Sequence, residues 1–370
     1  MCEQVGYNFN SSFLNLTFLL EPDSDLNYSQ SCPLATTADL TTLTLLSFLL
    51  EGVVQFIISS LGILGNTASI FLLTRRELQS FFNQLLMVLV VFDLVYLITM
   101  MLESIRKFGL ESELHTLLLP HLLYPLNAIS MMGSIYMTMV VGMERYRAVY
   151  HPMEYSRVAN DASTHTDRLI KYVSPITLFA VVFNIPKFFE SKVVYTEHDK
   201  NVYIEVTDLR MSTMYITWYH NWARFIVLGI IPFIAICYLN YKIYLVISER
   251  RKSGTRKQDD NLSVVLMMIV ASFVACNLIR IFLNMHELTV IEEIQLCRCS
   301  DLGGFPVWIV ILGFISHIFL VINSSTNLLI YCMFGTKFRK VLSSYINYRD
   351  SESAQDHFPL RTRNTQNNGK

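Results

Sequence analysis

Seven apolar runs, each long enough to cross a bilayer, constrain this chain more than any other feature. They lie near residues 51 to 74, 82 to 105, 118 to 146, 169 to 189, 216 to 247, 261 to 286 and 306 to 333. A span needs roughly 20 apolar residues at a helical rise of about 1.5 Å each. Hydrocarbon offers no water to backbone N–H and C=O groups, so runs of this length must close their hydrogen bonds internally, as helices do. Composition agrees, with 52% of residues hydrophobic and only 16% charged, where soluble domains carry roughly 25%. The expected fold is an all-α membrane protein, a seven-transmembrane helix bundle over 51–334. The fourth run is the weakest, because Lys171 and Pro175 crowd its start.

An odd number of spans puts the termini on opposite sides, and charge assigns the sides. Sixteen Lys and Arg residues flank the spans on one face and seven on the other, which places the N-terminus outside. The first fifty residues fit an extracellular glycosylated tail: Asn10, Asn15 and Asn27 each begin a glycosylation sequon, and no Lys or Arg interrupts the segment. No basic stretch precedes an apolar core at the start, so the first span itself is expected to serve as the insertion signal. Cys237, Cys276 and Cys332 fall in spans, where a free Cys packs as a small hydrophobe. Cys2, Cys32, Cys297 and Cys299 fall outside, in an oxidising compartment. The net charge of -1 gives no reason to expect nucleic acid as a partner.

Ionisable residues inside apolar runs carry the most information, since each is costly unless paired or used. Asp93 stands in the middle of the second run, where translocon scales assign a charge roughly 2.5 to 3.5 kcal/mol. Glu144 and Arg145 end the third run side by side, followed by Tyr146 and then by Tyr150-His151-Pro152-Met153. A carboxylate and a guanidinium at such a half-dry boundary are tolerable as a pair that can break and re-form.

Glu144-Arg145-Tyr146, the Pro152-Met153 pair that follows, and Asn327-Leu328-Leu329-Ile330-Tyr331 near the end of the last run together resemble the rhodopsin-like G-protein-coupled receptors. The resemblance covers about residues 51 to 346. Within that family, 184–190, 276–284 and 323–338 look most like the invertebrate FMRFamide-receptor group of neuropeptide receptors. The resemblance implies a plasma-membrane receptor that catalyses no reaction and activates a heterotrimeric G protein through Glu144, Arg145, Tyr146, Met153, Asp259 and Tyr331. In the resting state Arg145 would pair with Glu144 and Asp259. It implies a core transmission set of Ile135, Pro232, Phe273, Asn277 and Asn327. It also implies an allosteric sodium pocket made by Asp93, Ser134, Asn323, Ser324 and Asn327, with Asp93 as the metal carboxylate and no other cofactor. An amphipathic eighth helix over 335–346 and a disordered cytoplasmic tail over 347–370 would complete the chain, the tail offering Ser and Thr to a receptor kinase and arrestin. Membrane lipid would surround the bundle.

The chain departs from the family pattern at several points. Asn277 and Ile279 stand where Trp and Pro are usual, Leu328 where Pro is usual, and Asn240 where Tyr is common. Without its Pro the sixth helix lacks the ordinary cause of a kink. Neither 110–128 nor 187–222 contains a Cys, so the family's outer disulfide is absent, and Cys32 is expected to pair with Cys297 or Cys299.

The expected ligand is an extracellular peptide ending in Arg-Phe-amide. Five acids and no Lys or Arg occupy residues 1–42, a field that attracts cations. Glu103 near the outer rim of the second helix, Glu190 at the end of the fourth and Glu287 at the end of the sixth could fork onto a ligand guanidinium, above an apolar floor of Tyr124, Met131 and Phe282. An intramembrane enzyme is disfavoured, since His286-Glu287 lacks the second His of a zinc helix. A transporter would show internal repeats, and none is seen; an orphan, constitutive or decoy receptor is the remaining alternative.

Overall fold

The computed structural model describes residues 36–75, 80–110, 112–159, 165–195, 202–253, 259–290, 305–327 and 343. Helix α1 runs Thr37–Leu73, α2 Phe81–Lys107 and α3 Glu113–Tyr150. The short α4, Pro152–Ala159, precedes α5, His165–Phe183, which a 3-10 turn at Ile185–Phe189 prolongs. Strands β1, Ser191–Tyr195, and β2, Val202–Val206, form an antiparallel hairpin with Val193 opposite Ile204. A single turn, α6, Asp208–Met211, leads into α7, Tyr215–Arg250. Helices α8, Asp259–Thr289, and α9, Val307–Ser325, follow. Six of these segments, α1, α2, α3, α5 with its 3-10 turn, α7 and α9, are long and apolar enough to cross a membrane. At 31 residues, α8 packs between α7 and α9 and against α3.

Their outer surfaces remain apolar: Leu61, Leu64, Leu178 and Ile234 are each more than 60% exposed. In water such a surface would aggregate; against acyl chains it needs no covering. The centre belongs to α3, whose Met132, Ile135, Met137 and Val141 are buried against α2, α5 and α7.

Helix α1 starts at Thr37, well before the expected boundary near residue 51, so part of the segment read as tail is helical. Local hydrogen bonding explains the difference. Thr36 and Asp39 form a reciprocal capping box, with Asp39 N donating to Thr36 Oγ1 at 3.1 Å and Thr36 N to Asp39 Oδ2 at 3.0 Å. Thr41 and Thr42 then return their hydroxyls to carbonyls one turn back, at 2.8 Å, so a polar, β-branched stretch stays helical.

Small residues let the helices approach closely, as membrane bundles require. A Cβ added at Gly133 of α3 would collide with the Phe92 ring of α2, and one at Gly62 of α1 with Ser325 of α9. Asn66, one turn beyond Gly62, donates from Nδ2 to both Gly62 O and Ser324 O at 2.9 Å, tying the first helix to the last. Calorimetry of detergent-purified protein should show Gly133→Val losing about 1 to 3 kcal/mol of stability, because the site must overpack. An unchanged melting temperature would mean that the Phe92 ring moves aside freely.

Candidate functional site

Polar constellations interrupt the apolar core, and three of them bear on the residues singled out in the sequence. The first sits at mid-bundle. Asp93 of α2 is 1% exposed, and both carboxylate oxygens are met: Ser134 Oγ donates to Oδ1 at 2.6 Å and Asn327 Nδ2 to Oδ2 at 2.6 Å. Ser324 reaches the same carboxyl. Asn323, expected in this set, is half-buried and makes no side-chain hydrogen bond to Asp93 among the described residues. The oxygens gathered here are the Asp93 carboxylate and the Ser134 and Ser324 hydroxyls, while Asn327 turns its N–H toward the carboxylate.

The second constellation lies at the Glu144 end of the bundle. Glu144 and Arg145 are both buried, and no ion pair joins the two to each other. Glu144 Oε1 takes Arg168 of α5 at 3.2 Å, whereas the Arg145 guanidinium lies over the Phe82 ring, 3.3 Å from its centroid. Adjacent residues on a helix point about 100° apart, so Glu144 faces α5 while Arg145 turns toward α2. Tyr146 stacks on Tyr150 with ring centroids 5.1 Å apart. Met153 on α4 is 77% exposed. Asp259 begins α8, while its side chain, like all of Tyr331, lies outside the described residues.

The third constellation is a cavity of about 180 Å³ at the opposite end, lined by α2, α3, α7, α8 and α9. Helical backbone widens to π geometry at this end, at Phe48–Val54, Leu119–Leu123, Tyr215–Ala223 and Phe225–Ile230. Such widening is frequent at functional sites. The hairpin packs against one side through Ile204, buried with Leu119 and Leu123 of α3. Apolar contact therefore seats this loop on the third helix, where the family's disulfide would tie it.

Of the three candidate acids, two are engaged. Glu103 pairs with Arg106 at 3.1 Å. Glu190, one residue past the end of its span, meets Lys187 at 2.8 Å, Arg210 at 4.0 Å and the Tyr215 hydroxyl at 2.7 Å. Burial raises its pKa, but Lys187, Arg210 and the Tyr215 hydrogen bond outweigh burial and hold it below the ordinary carboxylate value. Glu287 lines the cavity and has no ion-pair partner within 4.0 Å among the described residues.

The 7 transmembrane receptor (rhodopsin family) matches residues 65–331. The chain belongs to this family. It is 32% identical over 317 residues to the FMRFamide receptor of Drosophila melanogaster, covering 80% of this chain and 53% of that receptor. Thus the matched region spans about half of the fly protein's length. A probable G-protein coupled receptor, frpr-1, of Caenorhabditis elegans is 26% identical, covering 80% of this chain and 78% of the relative. The FMRFamide peptide receptor frpr-18 of the same organism is 25% identical, covering 77% and 66%. Membrane-spanning helices and family together make the receptor a multi-pass membrane protein.

Tyr124 and Met131 line the cavity, but Phe282 does not. It is 51% exposed, because it sits about 200° around the helix from Arg280, which does line the cavity. In the transmission set, Ile135 and Phe273 share one core, Pro232 is buried, and Asn277 Nδ2 donates to Phe273 O at 2.8 Å. Asn10, Asn15, Asn27, Cys32, Cys297 and Cys299 lie outside the described residues; within them, Cys237 and Cys276 are free.

Sequence reasoning passed over a buried cluster in which Glu51 of α1 binds Lys107 of α2 at 3.1 Å and His317 of α9 at 2.8 Å. It also passed over Arg168, Arg224 and Arg280. Their signal was available, since each is a charge within or beside an apolar run. Removing Arg168 strands a carboxylate whose Oε2 already lacks a hydrogen bond. Arg168→Gln should lower stability by about 3 kcal/mol, and adding Glu144→Gln should restore most of it. A double variant no more stable than Arg168→Gln alone would show that the pair contributes nothing.

Proposed function

We propose that this receptor binds an extracellular peptide ending in Arg-Phe-amide and activates a heterotrimeric G protein on the opposite side of the plasma membrane. The similarity to receptors named for FMRFamide supports the ligand class, and the unpaired Glu287 in the cavity is the observation that carries it. A guanidinium on the peptide would satisfy that carboxylate by a forked, charge-assisted hydrogen bond, while Glu103 and Glu190 are already held.

The reading includes seven spans, with α8 as the sixth and α9 continuing into the seventh, an eighth amphipathic helix over 335–346, and an extracellular N-terminus. The cavity then faces outward. The Glu144 end faces the cytoplasm, where Arg145, Tyr331 and the exposed Met153 meet the G protein. Receptor kinase and arrestin would act on the tail beyond 346. Binding shifts a two-state equilibrium of the bundle and requires no chemistry from the protein. A sodium ion held by Asp93, with the Ser134 and Ser324 hydroxyls as neutral ligands, would favour the resting state.

Amidated peptides tested for calcium and cyclic AMP responses in transfected cells check the reading, and silence to every Arg-Phe-amide would remove it. Glu287→Gln should weaken an Arg-bearing peptide tenfold or more while sparing an analogue with neutral citrulline. Equal losses for the two peptides would exclude recognition of charge. At equal surface expression, Asp259→Asn should raise ligand-free signalling, and Asp93→Asn should abolish any effect of sodium on agonist affinity. Unchanged basal activity and unchanged sodium sensitivity, respectively, would remove these roles.

A further inference from the structure

Charges lining the cavity do not balance. Lys187, Arg210, His220, Arg224, Arg280 and His317 face Glu103 and Glu287. Most of these groups are engaged: Lys187 and Arg210 with Glu190, His317 with Glu51, Glu103 with Arg106, and His220 with Arg210 at 3.4 Å. Arg224 and Arg280 remain. Neither has a carboxylate within 4.0 Å among the described residues. Arg224 Nη1 is buried without any hydrogen-bond partner. Arg280 Nη1 points at the Met131 sulfur, 2.7 Å away, a weak acceptor for so strong a donor. Glu287 lies in the fields of Arg210, Arg224 and Lys187 without an ion pair to any of them, and beside the Asn221 amide.

An uncompensated guanidinium among apolar helices is expensive, and membrane proteins keep such groups where a ligand or ion answers them. Two of them, on α7 and α8, converge on one cavity. A guanidinium only donates, so its best complement only accepts and carries the opposite charge. A carboxylate meets both conditions, whereas a carboxamide accepts through one neutral oxygen and adds N–H donors that neither Arg can receive. At about 180 Å³ the cavity is smaller than the roughly 300 to 1,000 Å³ of a drug-sized site, so it takes one end of a peptide and not its whole length.

We infer that Arg224 and Arg280 form an anion subsite at the cavity floor, which binds a carboxylate carried by the peptide ligand. Seven residues separate Arg280 from Glu287 on α8, about 10 Å at the helical rise. The favoured ligand therefore carries a cation near the mouth and an anion about 10 Å deeper. This rests on the peptide-receptor reading. Its carboxylate comes either from an acidic side chain or from a free C-terminus.

Synthetic Phe-Met-Arg-Phe-amide, extended by three residues in which Asp or Asn is placed at each position in turn, separates the two sources when compared with the same peptides as free acids. On the wild-type receptor one acid-bearing peptide should be at least tenfold more potent than its neutral match. Arg224→Gln and Arg280→Gln should each shrink that ratio below about threefold, with the neutral peptide's potency kept. Equal potency of every matched pair on wild type, or a preference that survives both variants, overturns the subsite. Melting of the purified, ligand-free receptor supplies an arm independent of any agonist. Removing a cation held at a cost should leave stability unchanged or raise it, so Arg224→Met and Arg280→Met should melt no lower than wild type. A fall of several degrees in both would make the guanidinia structural and overturn the proposal. If no peptide activates the receptor, the peptide reading fails and the peptide carboxylate with it, while a fall in melting of both variants overturns the subsite independently.

Discussion

Burial of charge among apolar helices is the constraint on which this structure turns. Backbone groups are satisfied inside each helix, so helices would associate only by packing were it not for the few ionisable side chains they carry. Several of these are answered by a group from another segment. Glu51 joins α1 to Lys107 on α2 and His317 on α9, Glu144 joins α3 to Arg168 on α5, and Asp93 joins α2 to Ser134 on α3 and Asn327 past the end of α9. Alternative packings that strand one of these charges are disfavoured by several kcal/mol. The pairs therefore act more on which arrangement forms than on how stable it is.

The same constraint separates charges already held by a neighbour from those left open. Glu103, Glu190 and Glu287 look alike in the sequence, each an acid near a helix end. Only the third is left unpaired by its neighbours, because Arg106 sits one turn from Glu103 and Lys187 one turn from Glu190. Spacing of three residues along a helix predicts such local pairs, so the partners of two of the three acids could have been named before any fold was known.

Much of the fold was legible for a physical reason: length and apolarity of a span are one-dimensional properties. Expected spans at 82–105, 216–247 and 261–286 fall inside α2, α7 and α8. The start of α1 was not legible, because it depends on a capping box and threonine back-bonds that override a polar composition. The hairpin and the π-helical segments were not legible either, since they answer to tertiary contacts such as Ile204 with Leu119. At the candidate sites, residue types were legible and directions were not. Phe282 was placed on the floor by type and turns outward by phase, and Glu144 was matched to its chain neighbour when its partner came from α5.

Direction also explains how α8 can couple the two ends without the usual proline. Phe273, Asn277, Arg280, Asn284 and Glu287 recur at intervals of four and three, so they form one stripe along the helix. Its cavity half is Arg280, Asn284 and Glu287; below them Asn277 bonds within the helix, and Phe273 is buried in the core shared with Ile135. A Pro at residue 279 would break the hydrogen-bond ladder between these halves and let the upper part hinge independently. Ile279 keeps the ladder whole. If a ligand is held at Glu287 and Arg280 as proposed, it would grip the same continuous rod whose lower half packs against α3, and displacement of the grip would carry Phe273 with it. In that reading the altered sixth-helix pattern replaces a hinge with a lever.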